Sequence, residues 1–285
     1  MEIPICLSPL KFYSKLEYQN RYRSFAYGEV SPLIVYANMI PPFQFVTRDD
    51  VSSIETVYLH NVSTGEKIDV TEDFTNNLIS VGLVGEVNII TYPGILPIKS
   101  LSLEGNYFLE LEADIPISYF SEIFSSTNNV DDCLYIEYSS PVDFEIGKGV
   151  VSFKNGFKFN VYLKSELGKP EYKFEEEATK RLGYTFIESQ VSKKIYRFNT
   201  IIPEYLCDAM RLIRLCSNKK LISKGVSYDM LSFDMDVDWQ EQGDLASVTC
   251  EFQVDNIIVN LGGYEESFSN NNSVDFNNDF NDDYK

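Results

Sequence analysis

The sequence predicts a mainly-β protein with two β-sandwich or jelly-roll-like units, one amphipathic helix in the second unit and an N-terminal arm. Tyr and Phe supply almost all of the 14% of residues that are aromatic, and such side chains pack well on pleated, half-buried surfaces. Short runs of alternating apolar and polar residues recur between turn residues, which is typical of sandwiches and barrels. The longest apolar runs have only the length of a strand, so no membrane span is predicted.

These patterns divide the 285 residues into four parts. Residues 1–30 form the N-terminal arm, residues 31–140 a first β domain and residues 141–263 a second β domain. Residues 264–285 form an acidic tail rich in Asn and Asp. Such a composition buries too little apolar area to offset the entropy of ordering, so we expect the tail to be flexible.

The first domain consists of short predicted strands. Tyr107, Leu109 and Leu111 share one face of segment 106–111, as expected where one face of a strand is buried. Asn128-Asn129 is predicted to link the last two strands as a hairpin. The predicted strands are 43–47, 54–60, 78–81, 87–92, 106–111, 119–125 and 133–139.

The second domain contains the one predicted helix, residues 203–216. Pro203 occupies the first turn, where its missing N–H costs nothing. The apolar stripe of this helix, at three- and four-residue spacing, consists of Leu206, Ala209, Met210, Ile213 and Cys216. The helix is therefore predicted to pack on the second sheet.

Strands are predicted around this helix at 156–165, 194–200 and 232–240, and a last strand or pair of strands within 245–260. The clearest is 232–240, whose predicted buried face carries Phe233, Met235, Val237 and Trp239. Segment 173–181 is rich in Glu and is interpreted as either a charged loop or a short helix.

The net charge of −19 disfavours nucleic acid and anionic membranes as partners, because phosphate groups repel an acidic surface. The five cysteines include no C-x-x-C pair, so neither a disulfide framework nor a zinc site is predicted. Reduced, mostly buried thiols in a protein made in the cytoplasm fit this pattern. The first residues also lack the basic region and apolar core of an export signal.

The chain offers few groups for catalysis, and we expect no enzyme activity, no cofactor and no metal. His60 is the only histidine, so any triad would have to be built on it. Asp234, Asp236 and Asp238 match the opening of a calcium loop, but that loop needs Gly and Glu where this chain has Trp239 and Leu245. Phosphate-cradling glycine motifs are also absent from the sequence. A pair of glycosidase carboxylates is not decided by sequence, since it is a property of three-dimensional spacing.

The N-terminal arm is the best candidate for an interaction site. Tyr and Arg dominate interface hot spots, and the arm combines them with Phe. The arm lies either on a neighbouring subunit or folded back on its own body. The candidate residues are Phe12, Tyr13, Tyr18, Arg21, Tyr22, Arg23, Phe25 and Tyr27.

Several segments resemble structural proteins of Bacteroidetes phages and prophages, including crAss-like phages. The segments are GFKFNVYL at 156–163, KIYRF at 194–198, PEYLCDA at 203–209, WQEQGDLA at 239–246, GNYFL at 105–109 and YFSEIF at 119–124. They carry no known chemistry, so the resemblance transfers no catalytic residue. It implies a virion protein in the neck, tail or baseplate of a tailed phage. The implied partners are other phage structural proteins and further copies of the chain.

A carbohydrate- or cell-surface-binding β module is the alternative function. Tyr119 and Phe120 would then form a platform on which a glycan stacks.

Overall fold

The computed structural model describes residues 5–24, 33–36, 39–47, 51, 53–75, 79–84, 87–94, 104–146, 149–181, 184–239 and 245–260. Strands dominate these ranges, which confirms the predicted mainly-β class. The helices are α1 Lys15–Ser24, α2 Thr71–Thr75 and α3 Glu204–Leu215, with a 3₁₀ turn at Lys154–Gly156. None of these helices is long and apolar enough to span a bilayer. The predicted tail, residues 264–285, lies outside the described residues.

The strands, in chain order, are β1 Ile5–Cys6, β2 Phe12–Ser14, β3 Leu33–Tyr36, β4 Phe43–Thr47, β5 Ile54–Asn61, β6 Lys67–Asp69, β7 Ile79–Val84, β8 Val87–Tyr92, β9 Gly105–Ala113, β10 Ser118–Ser121, β11 Phe124–Thr127, β12 Cys133–Ser139, β13 Phe144–Ile146, β14 Gly149–Val151, β15 Phe159–Lys164, β16 Glu171–Arg181, β17 Tyr184–Pro203, β18 Asn218–Ser223, β19 Val226–Asp229, β20 Ser232–Trp239 and β21 Leu245–Asn260.

The chain forms two compact units. Unit 1 comprises residues 1–171 and 195–255, and unit 2 comprises residues 172–194 and 256–285. The largest sheet follows the order β19-β18-β12-β15-β3-β11-β9-β10-β2, and β5 pairs with both β9 and β6. Two smaller sheets have the orders β1-β14-β13 and β4-β8-β7. The fourth sheet has the order β16-β17-β21-β20.

The predicted division into two β domains at residues 140 and 141 does not hold in this structure. Strand β12 lies before that boundary, yet it pairs with β15 on one side and with β18 on the other. Strand β15 in turn pairs with β3. The alternation within a strand shows which face is buried but not which strand it pairs with, so sequence patterns could not show this interleaving.

The main sheet buries one face of β9 as predicted. Tyr107, Leu109 and Leu111 are almost fully buried, while the residues between them are partly exposed. Beside this sheet, the ring of Phe43 lies 5.1 Å from that of Tyr92. Burial of each such side chain contributes about 1.5–3 kcal/mol.

The N-terminal segment is built into unit 1. Strand β1 pairs in parallel with β14, and β2 pairs in antiparallel with β10. Leu7 and Leu10 between them are buried in the core. For residues 5–14, the structure therefore matches the alternative in which the arm folds back on its own body.

The predicted helix is confirmed as α3, with Pro203 as the residue that precedes it. All five residues of the predicted stripe are buried, and so are Tyr205, Cys207 and Leu212. The buried surface of the helix is therefore wider than the single predicted stripe. Nη1 of Arg214 lies 2.8 Å from Oδ1 of Asp234, which connects α3 to β20.

Three local predictions are wrong. Segment 173–181 is neither loop nor helix, because it lies within the strand β16. Asn128-Asn129 does not form a hairpin, since β15 and β3 lie between β11 and β12 in the sheet. Segment 119–125 is not one strand, because β10 ends at Ser121 and β11 begins at Phe124.

The clearest predicted strand is confirmed as β20, but its apolar face is covered unevenly. Phe233 is 1% exposed, whereas Trp239 at the other end of the strand is 48% exposed. Met235 and Val237 between them are partly buried. Burial of this face therefore decreases from Phe233 to Trp239.

Candidate interaction surface

The predicted arm residues that the structure describes make contacts inside unit 1. The ring of Phe12 lies 4.8 Å from that of Phe43 and 5.1 Å from that of Phe45. The buried Tyr13 donates a hydrogen bond to Glu122. The ring of Tyr18 stacks on Phe120 at 4.9 Å. These three aromatic residues therefore stabilise the body of the protein.

For the other predicted arm residues, the structure describes no side-chain contact. Arg21, Tyr22 and Arg23 lie in α1, but their side chains are outside the described residues. Phe25 and Tyr27 also lie outside them.

His60 belongs to a polar cluster on the sheet formed by β6, β5 and β9. Its Nε2 lies 2.7 Å from Oε2 of Glu110, and its ring stacks on Phe108 at 4.5 Å. Nζ of Lys67 lies 2.9 Å from the same Glu110 oxygen. Burial opposes ionisation of Glu110, but hydrogen bonds from Lys67 and His60 outweigh it and lower the pKa of this carboxyl. The cluster therefore holds an ionised carboxylate between two donors.

The aspartates of β20 do not form a cation site. Their side chains are exposed, and Asp234 is paired with Arg214. In the described part of the chain, no group of three or more candidate ligands could hold a metal ion.

The thiols are poor nucleophiles at neutral pH. Burial raises the pKa of Cys6 and Cys216 to about 12 and that of Cys207 to about 11. Burial also raises the pKa of Cys133 and Cys250. Because the thiolate is the reactive form, these side chains act as small apolar groups.

Among the described residues of unit 1, two clefts have a volume of about 300 Å³ each. Neither is lined by His60 or by a cysteine. In the first, Nζ of Lys158 lies 3.0 Å from Oε1 of Glu137. The second lies between β3, β15 and the start of α3.

Tyr119 and Phe120 do not form an open platform. Phe120 is 9% exposed and is stacked under Tyr18. Tyr119 is partly buried, and its ring lies 5.5 Å from that of Phe45. Phe120 therefore offers no free ring face on which a sugar could stack, and Tyr119 is partly covered.

Unit 2 presents a surface of a different character. We define the unit-2 sheet as its described strand residues, 172–181, 184–194 and 256–260. None of the side chains described in these ranges is buried. Polar contacts join its strands, since Nζ of Lys193 lies 2.6 Å from Oε1 of Glu175 and the Gln190 amide donates to Glu176 at 2.9 Å. Exposed pairs of this kind add little stability, about 0–1 kcal/mol each.

Large apolar side chains lie uncovered on both faces of the unit-2 sheet. Tyr172 and Phe174, two positions apart on one face of β16, are 57% and 75% exposed. Ile257 and Ile258 are adjacent in β21 and point to opposite faces, yet they are 66% and 56% exposed. This sheet therefore lacks a core on either face within the described residues.

No protein-family model matches the chain, and no curated protein matches it. These two comparisons therefore assign no family to the chain.

The unit-2 sheet was not predicted as a functional site. A strand without a buried face shows no alternation of apolar and polar residues, so segment 173–181 carried no strand signal. The available signal was the presence of Tyr172 and Phe174 in a segment otherwise rich in Glu.

Proposed function

We propose that this protein is a non-enzymatic structural subunit of a tailed-phage particle, in its neck, tail or baseplate region. It joins another structural subunit of the particle through the unit-2 sheet. The observation that carries this proposal is the exposure of Phe174, Ile257 and Ile258 on a sheet whose described side chains are all at least partly exposed.

Apolar side chains that a sheet exposes to water contribute little to the stability of an isolated protein. A β-sheet is stabilised by packing at least one face against another layer, and burial of apolar area contributes about 25 cal/mol per Å². Large apolar patches that remain exposed mark interaction sites, among them surfaces that bind other proteins. A stable contact buries about 1,000 Å² or more.

The chemistry of the described groups supports a role in assembly. The one imidazole is hydrogen-bonded to Glu110 and stacked on Phe108. Burial raises the pKa of the thiols. The assignment to a phage rests on the resemblance of segments such as 156–163 and 203–209 to phage structural proteins.

Quantitative mass spectrometry of gradient-purified particles tests this proposal. The phage that encodes this chain should carry it at a fixed number of copies per capsid, and the number should not fall on further purification. Absence of the chain from particles, despite its abundance in the lysate, would contradict a structural role.

A further inference from the structure

Strand β16 is an edge strand. It stands at one end of the sheet β16-β17-β21-β20, so the backbone groups along its outer side have no strand partner within the described residues. It is 11 residues long. A long open edge is a template on which another strand pairs.

The charges of β16 disfavour pairing with a second copy of itself. Antiparallel pairing about the middle of the strand would place Glu176 opposite Glu176 and Glu175 opposite Glu177. Like charges directly opposite one another destabilise a sheet. Glu171 would lie opposite Arg181 at each end, but Glu171 already pairs with Arg197 at 3.2 Å. This register therefore brings three like-charged pairs together at the centre of the strand.

Other edges of a second copy are no better suited to pair with β16. The opposite edge of the same sheet is β20, which carries Asp234, Asp236 and Asp238. The strands at the ends of the other sheets, as far as they are described, have six residues or fewer. Within the described structure, a second copy thus offers edges that are either acidic or too short to match β16.

We propose that β16 accepts a strand from a different protein, and that this strand carries Lys or Arg opposite Glu175, Glu176 and Glu177. This inference rests on the proposed function and names the chemistry of the partner. Backbone hydrogen bonds along the edge supply affinity, and the three carboxylates select a basic strand over a second copy. If copies of the chain associate with each other, they do so through a surface other than β16 and the other sheet-edge strands.

Mixing of charge-reversed copies tests the inference with the full-length chain. The triple variant E175K/E176K/E177K turns a second copy into a basic strand of the correct length. Backbone hydrogen exchange of residues 171–181 reports pairing at this edge, and circular dichroism checks that the variant is folded. A matched control, E55K/E66K/D131K, changes the same charge at exposed positions of unit 1.

In an equimolar mixture of wild type and the triple variant, exchange at the β16 edge should slow by roughly tenfold or more. High salt should reverse this effect. Each protein alone, and the mixture of wild type with the control, should show no slowing.

Two results would overturn the inference. Concentration-dependent slowing at this edge in wild type alone would show that β16 accepts its own copy. No slowing in the mixture, with the variant folded, would show that the edge does not accept a basic strand. Failure of the proposed function would be seen separately, as absence of the chain from particles.

Discussion

The hydroxyl group of Tyr13 donates a hydrogen bond of 2.6 Å to Oε1 of Glu122. Glu122 is 1% exposed, and its backbone N–H donates to the carbonyl oxygen of Lys11 at 2.8 Å. A buried carboxylate is stable only when donors surround it. These contacts attach the N-terminal segment to the main sheet at the point where β10 ends.

Replacement of the Tyr13 hydroxyl should therefore destabilise the whole fold. We expect Tyr13→Phe to lower the free energy of unfolding by about 1–3 kcal/mol, because the buried Glu122 loses a donor. Urea denaturation measures this change. Tyr36→Phe is the control, since Tyr36 is 38% exposed and a surface change of this kind stays within about 0.5 kcal/mol. Equal stability of the two variants would show that the hydrogen bond contributes nothing.

Two leucines of the N-terminal segment should respond differently to truncation. Leu10 is 0% exposed and Leu16 is 68% exposed. We expect Leu10→Ala to cost about 2–5 kcal/mol through the cavity that it leaves, and Leu16→Ala to cost about 0.5 kcal/mol or less. The comparison is made by thermal and urea unfolding. If Leu10→Ala were as stable as Leu16→Ala, the segment would not be part of the core.

Much of the secondary structure could be predicted from periodicity. The alternation around Leu109 and the helical stripe around Met210 both identify a buried face, because each pattern has the period of its element. Strand order could not be predicted, since β12 is joined to β15 and β18 by pairing across long stretches of chain.

The candidate surface was missed for a related physical reason. Prediction rests on the contrast between a buried and an exposed face, and β16 has no such contrast. Aromatic content alone also did not show that Phe12 and Tyr13 of the predicted arm site pack inside the fold. Composition indicates that aromatic side chains tend to be buried. It does not show whether they are buried within this chain or against another protein.

The Glu110 cluster predicts a dependence of stability on pH. The folded pKa of Glu110 lies below its ordinary value of 4.5, so the ionised form stabilises the fold. This contribution is fully present above the unfolded pKa and is lost as pH falls through the folded pKa. The charged and titratable groups around Glu110 include Lys67, His60 and Glu112.

Substitution by Gln isolates this contribution. Between pH 6 and pH 3, wild type should lose more stability than Glu110→Gln, whose side chain does not titrate. Unfolding by urea at several pH values gives the two slopes, and Glu112→Gln serves as a control at a more exposed carboxylate. Parallel slopes for wild type and Glu110→Gln would show that the cluster does not stabilise the ionised form.

The most direct test of the central claim is incorporation of tagged variants into particles. Phe174→Asp and Ile258→Asp each add a charge at an exposed apolar position of the unit-2 sheet, whereas Val142→Asp adds it at a residue of unit 1 that is 60% exposed. The variants are supplied during infection, and the tag is measured in gradient-purified particles. We expect the wild-type chain and Val142→Asp to be incorporated, and the two unit-2 variants to remain folded and free. Incorporation of Phe174→Asp and Ile258→Asp at the wild-type level would contradict the role assigned to this sheet.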